Sequence, residues 1–183
     1  MLRQLKCAEF GVFAPNGTLA LVLALMALDI GLGEEVIVLD TTFVASATAV
    51  VMVEAEPIFV DVDKNTYQMD AERVADAVGE QTKAIMPVHL YGSACNIKDV
   101  IELARELGLY VVEDAAQAIG VEYGGLHCGR FGDCGTFSFF ADKTITTGEG
   151  GYVMCRERET YKRLLELRNQ GRAASGQYVH PAI

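Results

Sequence analysis

The chain has 183 residues, 51% of them apolar, which is enough to bury a full core at about the size of one domain. Its formal net charge of -10, from 15 Lys and Arg against 25 Asp and Glu, speaks against the basic patch that a nucleic-acid partner requires. The 5 cysteines are odd in number and include no C-x-x-C pair, which indicates neither a disulfide framework nor a zinc ribbon and fits a reducing cytoplasm.

In chain order, the short apolar stretch GVFAP leads into NGTLALVLALMALDIG, a predicted helix with Asn16 as its N-cap and glycine at its end. Its most apolar run, residues 19–28, is too short to span a bilayer. The polar NGT before it is unlike the basic start of a signal peptide, so neither a membrane span nor a targeting segment is expected. EEVIVLD then reads as a strand, TFVASATAVVMVEA as a second apolar helix, EPIFVDVD as a strand, and DAERVADAV as an amphipathic helix capped by Asp70. KAIMPVHL, YVVEDA, CGTFSFF and GGYVMC follow as strands, with the helix NIKDVIELARELG after the first of them and the charged helix RERETYKRLLELRNQ at the end. Apolar strands alternating with helices predict an α/β, three-layer sandwich around a mostly parallel sheet of about seven strands. The whole of 1–183 reads as one domain, with an irregular tail over 171–183.

In such sheets ligands bind beyond the carboxyl ends of the strands, so polar residues at those ends are the candidates for chemistry. Gly17 and Thr18 open the first helix, where free amides and a hydroxyl suit a phosphate. Phe43 follows one strand, Glu113 and Asp114 end another with Gln117 a turn further on, and Ser138 and Lys143 follow CGTFSFF. Taken singly, a helix cap, a core phenylalanine, a capping carboxylate and a solvated lysine account for each. Together an amine, a carboxylate, an aromatic face and a hydroxyl-lined cup are what pyridoxal 5'-phosphate requires, and Gly148, Gly150 and Gly151 let the loop after Lys143 pass close to it. The tightest metal-type cluster, His127, Cys128 and Cys134, reads as ordinary packing, and no metal is expected. A Rossmann-type reading fails because no G-x-G-x-x-G follows the first strand.

The segments NGTLALVLAL, GLGEEVIVLDTTFVASATAV, PIFVDVD, PVHLYG, VVEDAAQAIG, GDCGTFSFF and DKTITTGEGG, in that order, resemble the DegT/StrS family of pyridoxal-phosphate-dependent sugar aminotransferases, of the aspartate aminotransferase fold type. The wording around Lys143 is similar to that of perosamine-synthase-type members. The resemblance implies that Lys143 forms the Schiff base and shuttles the proton, Asp114 pairs with the pyridine nitrogen and Gln117 meets the ring hydroxyl. It further implies that Phe43 stacks on the ring while Gly17, Thr18 and Ser138 bind phosphate. Related sugar dehydratases carry histidine in place of the lysine, so Lys143 favours transamination. The activity implied is transfer of an amino group, from an amino acid such as glutamate, to a keto nucleotide-sugar in a cytoplasmic homodimer. Members are longer, with a C-terminal small domain and an N-Y-R stretch that reaches the neighbouring subunit's phosphate, so the chain resembles the large domain alone. A non-catalytic or regulatory relative that keeps the fold without turnover is the alternative. Two departures stand out: Pro15 occupies a position where serine is common, and Asp142 sets a carboxylate beside the lysine.

Overall fold

The computed structural model describes residues 10–172. Its main sheet has seven strands in the order β1-β9-β8-β5-β4-β2-β3, namely β1 (Phe10–Ala14), β2 (Glu35–Leu39), β3 (Glu56–Val60), β4 (Thr82–Met86), β5 (Tyr110–Asp114), β8 (Cys134–Ser138) and β9 (Gly151–Cys155). Every neighbouring pair is parallel except the two that involve β9, which runs against both β1 and β8. A separate two-stranded hairpin, β6 (Glu122–Tyr123) and β7 (Leu126–His127), lies between β5 and β8 in the chain. The α/β class and the mostly parallel sheet thus match the sequence reading, while β1 and the hairpin are additions to it.

Five α-helices cover the sheet: α1 (Gly17–Ala27), α2 (Ala45–Met52), α3 (Ala71–Ala77), α4 (Ile97–Leu107) and α5 (Arg158–Arg168). Side chains alternate across a strand, so each strand feeds two cores. Val36 and Val38 of β2 join a cluster with Leu21 and Leu25 of α1, Val50 of α2 and Leu164 of α5. Ile37 and Leu39 of the same strand face the other way, onto Val74 of α3 and Ile97, Val100 and Ala104 of α4. Two helical layers with the sheet between them are the three-layer sandwich expected.

Helix α1 is apolar on every face and mostly buried, with Met26 its one exposed residue, and it needs a firm start. Asn16 supplies one: its backbone is extended, and its Oδ1 accepts the Leu19 N–H at 2.9 Å. Asp70 caps α3 in the same way, accepting the Glu72 N–H at 3.0 Å. α4 closes on Gly108 at φ 69°, the left-handed turn that glycine adopts without penalty.

The metal-type cluster is dispersed. His127 Nε2 accepts the Gly120 N–H at 2.8 Å, Cys128 lies in a small apolar cluster with Ala115, Ala118 and Phe137, and Cys134 sits in the α1-side core. Burial pushes the Cys128 thiol up to about 12 and the Cys155 thiol to about 11, so both act as small apolar fillers. Among the described residues no helix is long and apolar enough to cross a membrane. Of the irregular tail expected over 171–183, all but Gly171 and Arg172 lies outside the described residues.

Candidate active site

A cleft of about 460 Å³ opens where β2, β5 and β8 end and α1 begins. Gly17, Thr18, Phe43, Asp114, Gln117, Ser138 and Lys143, the residues singled out from sequence, all line it. They come from four separate parts of the chain, and the parallel strands bring them to one edge.

The N-terminus of α1 forms one wall. Asn16 uses its carbonyl and side chain on Ala20 and Leu19, which leaves the first amides of the helix directed out of its end, toward the cleft. Close approach makes this wall possible: a Cβ on Gly17 would stand 2.8 Å from the Ser138 Cβ, and one on Gly151 would stand 2.1 Å from the Asn16 carbonyl oxygen. Thr18 and Ser138 hydroxyls therefore flank the amides without a side chain between them.

The floor is Asp114, 5% exposed at the end of β5. Its Oδ2 accepts from the Ser46 hydroxyl at 2.9 Å and its Oδ1 from the Ala116 N–H at 3.1 Å. Because the Ser46 proton is committed to the carboxylate, Thr42, whose Oγ1 lies 3.2 Å from the Ser46 Oγ, donates to Ser46. Burial pushes the Asp114 carboxyl above the usual carboxylate range, opposed by the Ala116 N–H, the Ser46 hydroxyl and, more weakly, the Lys143 ammonium.

The neighbouring carboxylate has the opposite fate. Glu113 is fully buried on the other face and accepts four hydrogen bonds, from Gly129, Phe131 and Gly132 N–H at 2.7, 2.6 and 2.7 Å and from His89 Nε2 at 2.9 Å. His89 Nδ1 accepts the Cys95 N–H at 3.3 Å, which fixes the proton on Nε2. An ionised carboxylate offers about four acceptor positions, so Glu113 is saturated by the protein, whereas Asp114 has two partners and unused capacity beside the cleft. Glu113 ties the loop before β8 to the sheet; Asp114 is available to a ligand.

Lys143 stands in the loop between β8 and β9, its side chain mostly covered and its Nζ 3.5 Å from the exposed Asp142 Oδ1. Phe43 is 68% exposed at the cleft, so it is not the core phenylalanine that its residue type alone suggests. Gln117 accepts the Tyr91 N–H on its Oε1 at 2.9 Å, which leaves its NH2 as the end a ligand can meet. Sequence reasoning missed Ser46, Thr42, Phe140 and Glu149, all in or beside the cleft. A signal existed for Ser46, one of two small hydroxyls, with Thr48, in the otherwise apolar helix that follows β2.

An open α/β sheet with a lysine and a buried carboxylate at its carboxyl edge is the arrangement of the pyridoxal-phosphate-dependent transferase fold. The chain belongs to the DegT/DnrJ/EryC1/StrS aminotransferase family, whose pattern matches residues 2–183. It is 47% identical over 175 residues to a GDP-perosamine synthase of Escherichia coli O157:H7, covering 96% of this chain and 48% of that protein. Among solved structures, the aminotransferase from Psychrobacter cryohalolentis matches with a TM-score of 0.92 at 38% identity, over 98% of this chain and 48% of that one. NtdA from Bacillus subtilis, solved with bound cofactor PMP, matches with a TM-score of 0.88 at 29% identity, over 93% of this chain and 39% of that one. The chain spans about half the length of the curated relatives it matches.

Proposed function

We propose that the protein is a pyridoxal-phosphate-dependent sugar aminotransferase that moves an amino group from an amino acid, glutamate in the simplest case, to a keto sugar carried on a nucleotide. The observation that carries this reading is the pairing, in one cleft, of Lys143 with a buried Asp114 that the protein leaves at half its acceptor capacity. A pyridinium N–H is the kind of donor such a carboxylate lacks. The wall fits as well: helix amides with Thr18 and Ser138 hydroxyls, and glycines where a Cβ would collide, make a phosphate cup.

When bound, pyridoxal 5'-phosphate supplies an aldehyde for an amine and a ring that accepts electron density. The residues do the rest. Lys143 would offer its Nζ amine to that aldehyde and would hold and move a proton at Nζ. Asp114 would hold a proton on the ring nitrogen, and Ser46 holds Asp114. Phe43 would cover a ring face, and the Gln117 NH2, left free by the Tyr91 contact, would donate to the ring oxygen.

The GDP-sugar product named for the Escherichia coli relative supports a nucleotide-linked acceptor. The same reading takes the chain as a large domain and the working unit as a homodimer in which the neighbouring copy completes the phosphate site, with the cytoplasm as its location. Support for these comes from the family resemblance and from the free, buried thiols of Cys95, Cys128, Cys134 and Cys155.

Incubation with pyridoxal 5'-phosphate should turn the protein yellow, and borohydride reduction followed by peptide mapping should place the adduct on Lys143. Glutamate should bleach the colour, and a keto nucleotide-sugar should restore it. An adduct elsewhere, or colour that persists with every amino donor, rejects transamination.

A further inference from the structure

Tyr91 is held in the left-handed region at φ 57°, ψ 29°, inside the short 3-10 turn Leu90–Gly92 that follows β4. A bulky L side chain stays there only when its surroundings over-determine the backbone. The surroundings here include Gln68, which is far away in sequence, 3% exposed, and not part of the cleft lining. Its amide makes a reciprocal pair with one residue of the turn: Nε2 donates to the Leu90 carbonyl at 3.1 Å, and Oε1 accepts the Leu90 N–H at 3.3 Å. One residue on, the Tyr91 N–H donates to Gln117 Oε1 at 2.9 Å. A backbone N–H can only donate, so this contact decides which end of the Gln117 amide turns toward the cleft.

We propose that Gln68 is a positioning residue of the active site, acting through the Leu90–Tyr91 turn to hold the Gln117 NH2 toward the cofactor's ring oxygen. The proposal rests on the reading of the cleft as a pyridoxal-phosphate site. Gln68 spans from the loop after β3 to the turn after β4, and Gln117 reaches that turn from beyond β5, so three loops share one hydrogen-bonded path. Without the Gln68 amide the Leu90 N–H loses its partner and the Leu90 carbonyl keeps only the Ser93 N–H, at 2.9 Å. The strained turn then relaxes, and the Tyr91 N–H no longer fixes the Gln117 flip.

The test is a double-mutant cycle on the 183-residue chain, with Gln68→Ala, Gln117→Ala and both together, read by titration with pyridoxal 5'-phosphate. Loss of one well-placed hydrogen bond predicts that Gln68→Ala weakens binding about tenfold in the parent and changes it by less than about twofold once Gln117 is alanine. Equal losses in both backgrounds, or no loss in the parent, overturn the proposal. Gln68→Met, which keeps the side chain's bulk and loses both hydrogen bonds, should match the alanine variant, and it serves where that variant folds poorly. Hydrogen exchange on cofactor-free protein supplies a separate readout. The Tyr91 amide should exchange about tenfold faster in Gln68→Ala while Val111 and Val112 of β5 keep their protection. An unchanged Tyr91 amide overturns the clamp whether or not cofactor binds, whereas a parent chain that takes up no cofactor defeats the functional reading and shows it in its own titration.

Discussion

Replacing Ser46 with alanine should move the acid limb of cofactor capture upward in pH. Asp114 must be ionised to hold a protonated ring nitrogen, and burial already lifts its carboxyl above the usual range. Ser46 opposes that lift from 2.9 Å, at a site 5% exposed. A hydrogen bond to a charged group contributes about 1.5–3 kcal/mol, and one pH unit corresponds to about 1.4 kcal/mol, so the midpoint should rise by about one to two units. Above both midpoints Asp114 is ionised in either protein and the two affinity curves converge. The cofactor's own groups are the same in both proteins and cancel in the comparison. The assay is pyridoxal 5'-phosphate affinity by absorbance across pH, for the parent and for Ser46→Ala. Cofactor-free stability gives the matching sign: a carboxyl raised in the folded state keeps its proton longer than in the unfolded chain, so stability falls as pH climbs from about 4 through the folded value. Ser46→Ala should extend that fall to higher pH. Superimposable affinity curves for the two proteins would show that Ser46 does not govern the charge on Asp114.

Lys143→Ala should abolish borohydride trapping yet leave thermal stability within about 0.5 kcal/mol, because the side chain's ion pair is with the exposed Asp142 at 3.5 Å; a large loss of stability would mean that the lysine is structural. Glu113→Ala should cost about 3–5 kcal/mol in urea unfolding, since it strands three backbone N–H groups and the His89 Nε2–H in the interior. Gly151→Ala should cost about 1–3 kcal/mol and weaken cofactor binding together, because its Cβ would collide with the Asn16 carbonyl and push the start of α1 away from the cleft. Thermal melts with and without pyridoxal 5'-phosphate check both parts.

Signals confined to neighbouring residues were readable. Asn16 and Asp70 announce their helices by residue type, and both accept the backbone N–H groups a cap should accept. The apolar runs of β2, β4 and β5 declare strands buried on both faces. Placement of the cleft residues followed from their position at strand ends together with the family resemblance. What escaped was either too short or too distant. The β6–β7 hairpin has two-residue strands, too brief for any period, although Gly124 and Gly125 between EY and LH mark its turn and both have positive φ. Gln68 and Leu90 lie 22 residues apart, and His89 and Glu113 lie 24 apart, so their pairings exist only once the sheet has formed. Glu113 and Asp114 are adjacent and chemically alike; the pleat separates them, but their partners decide which is structural and which faces the cleft.

The direction of β9 explains why the lysine lies where it does. A parallel strand after β8 would need a crossover, and the chain would leave the cleft edge to re-enter the sheet from its far end. GGYVMC carries no mark of orientation in its composition, and here it returns antiparallel, with Gly151 paired to Ser138. Residues 139–150 therefore form a loop whose two feet are sheet partners at the cleft. Phe139 accepts from the Thr147 N–H and donates to the Gly150 carbonyl, and the Lys143 N–H donates to the Phe140 carbonyl at 3.0 Å, so the loop is folded on itself as well as anchored. Gly151 ends it against the first turn of α1. The single antiparallel strand thus pins the amine, the Ser138 hydroxyl and the helix N-terminus to one edge, and two of the parallel strands, β5 and β2, bring Asp114, Gln117 and Phe43 to the same place.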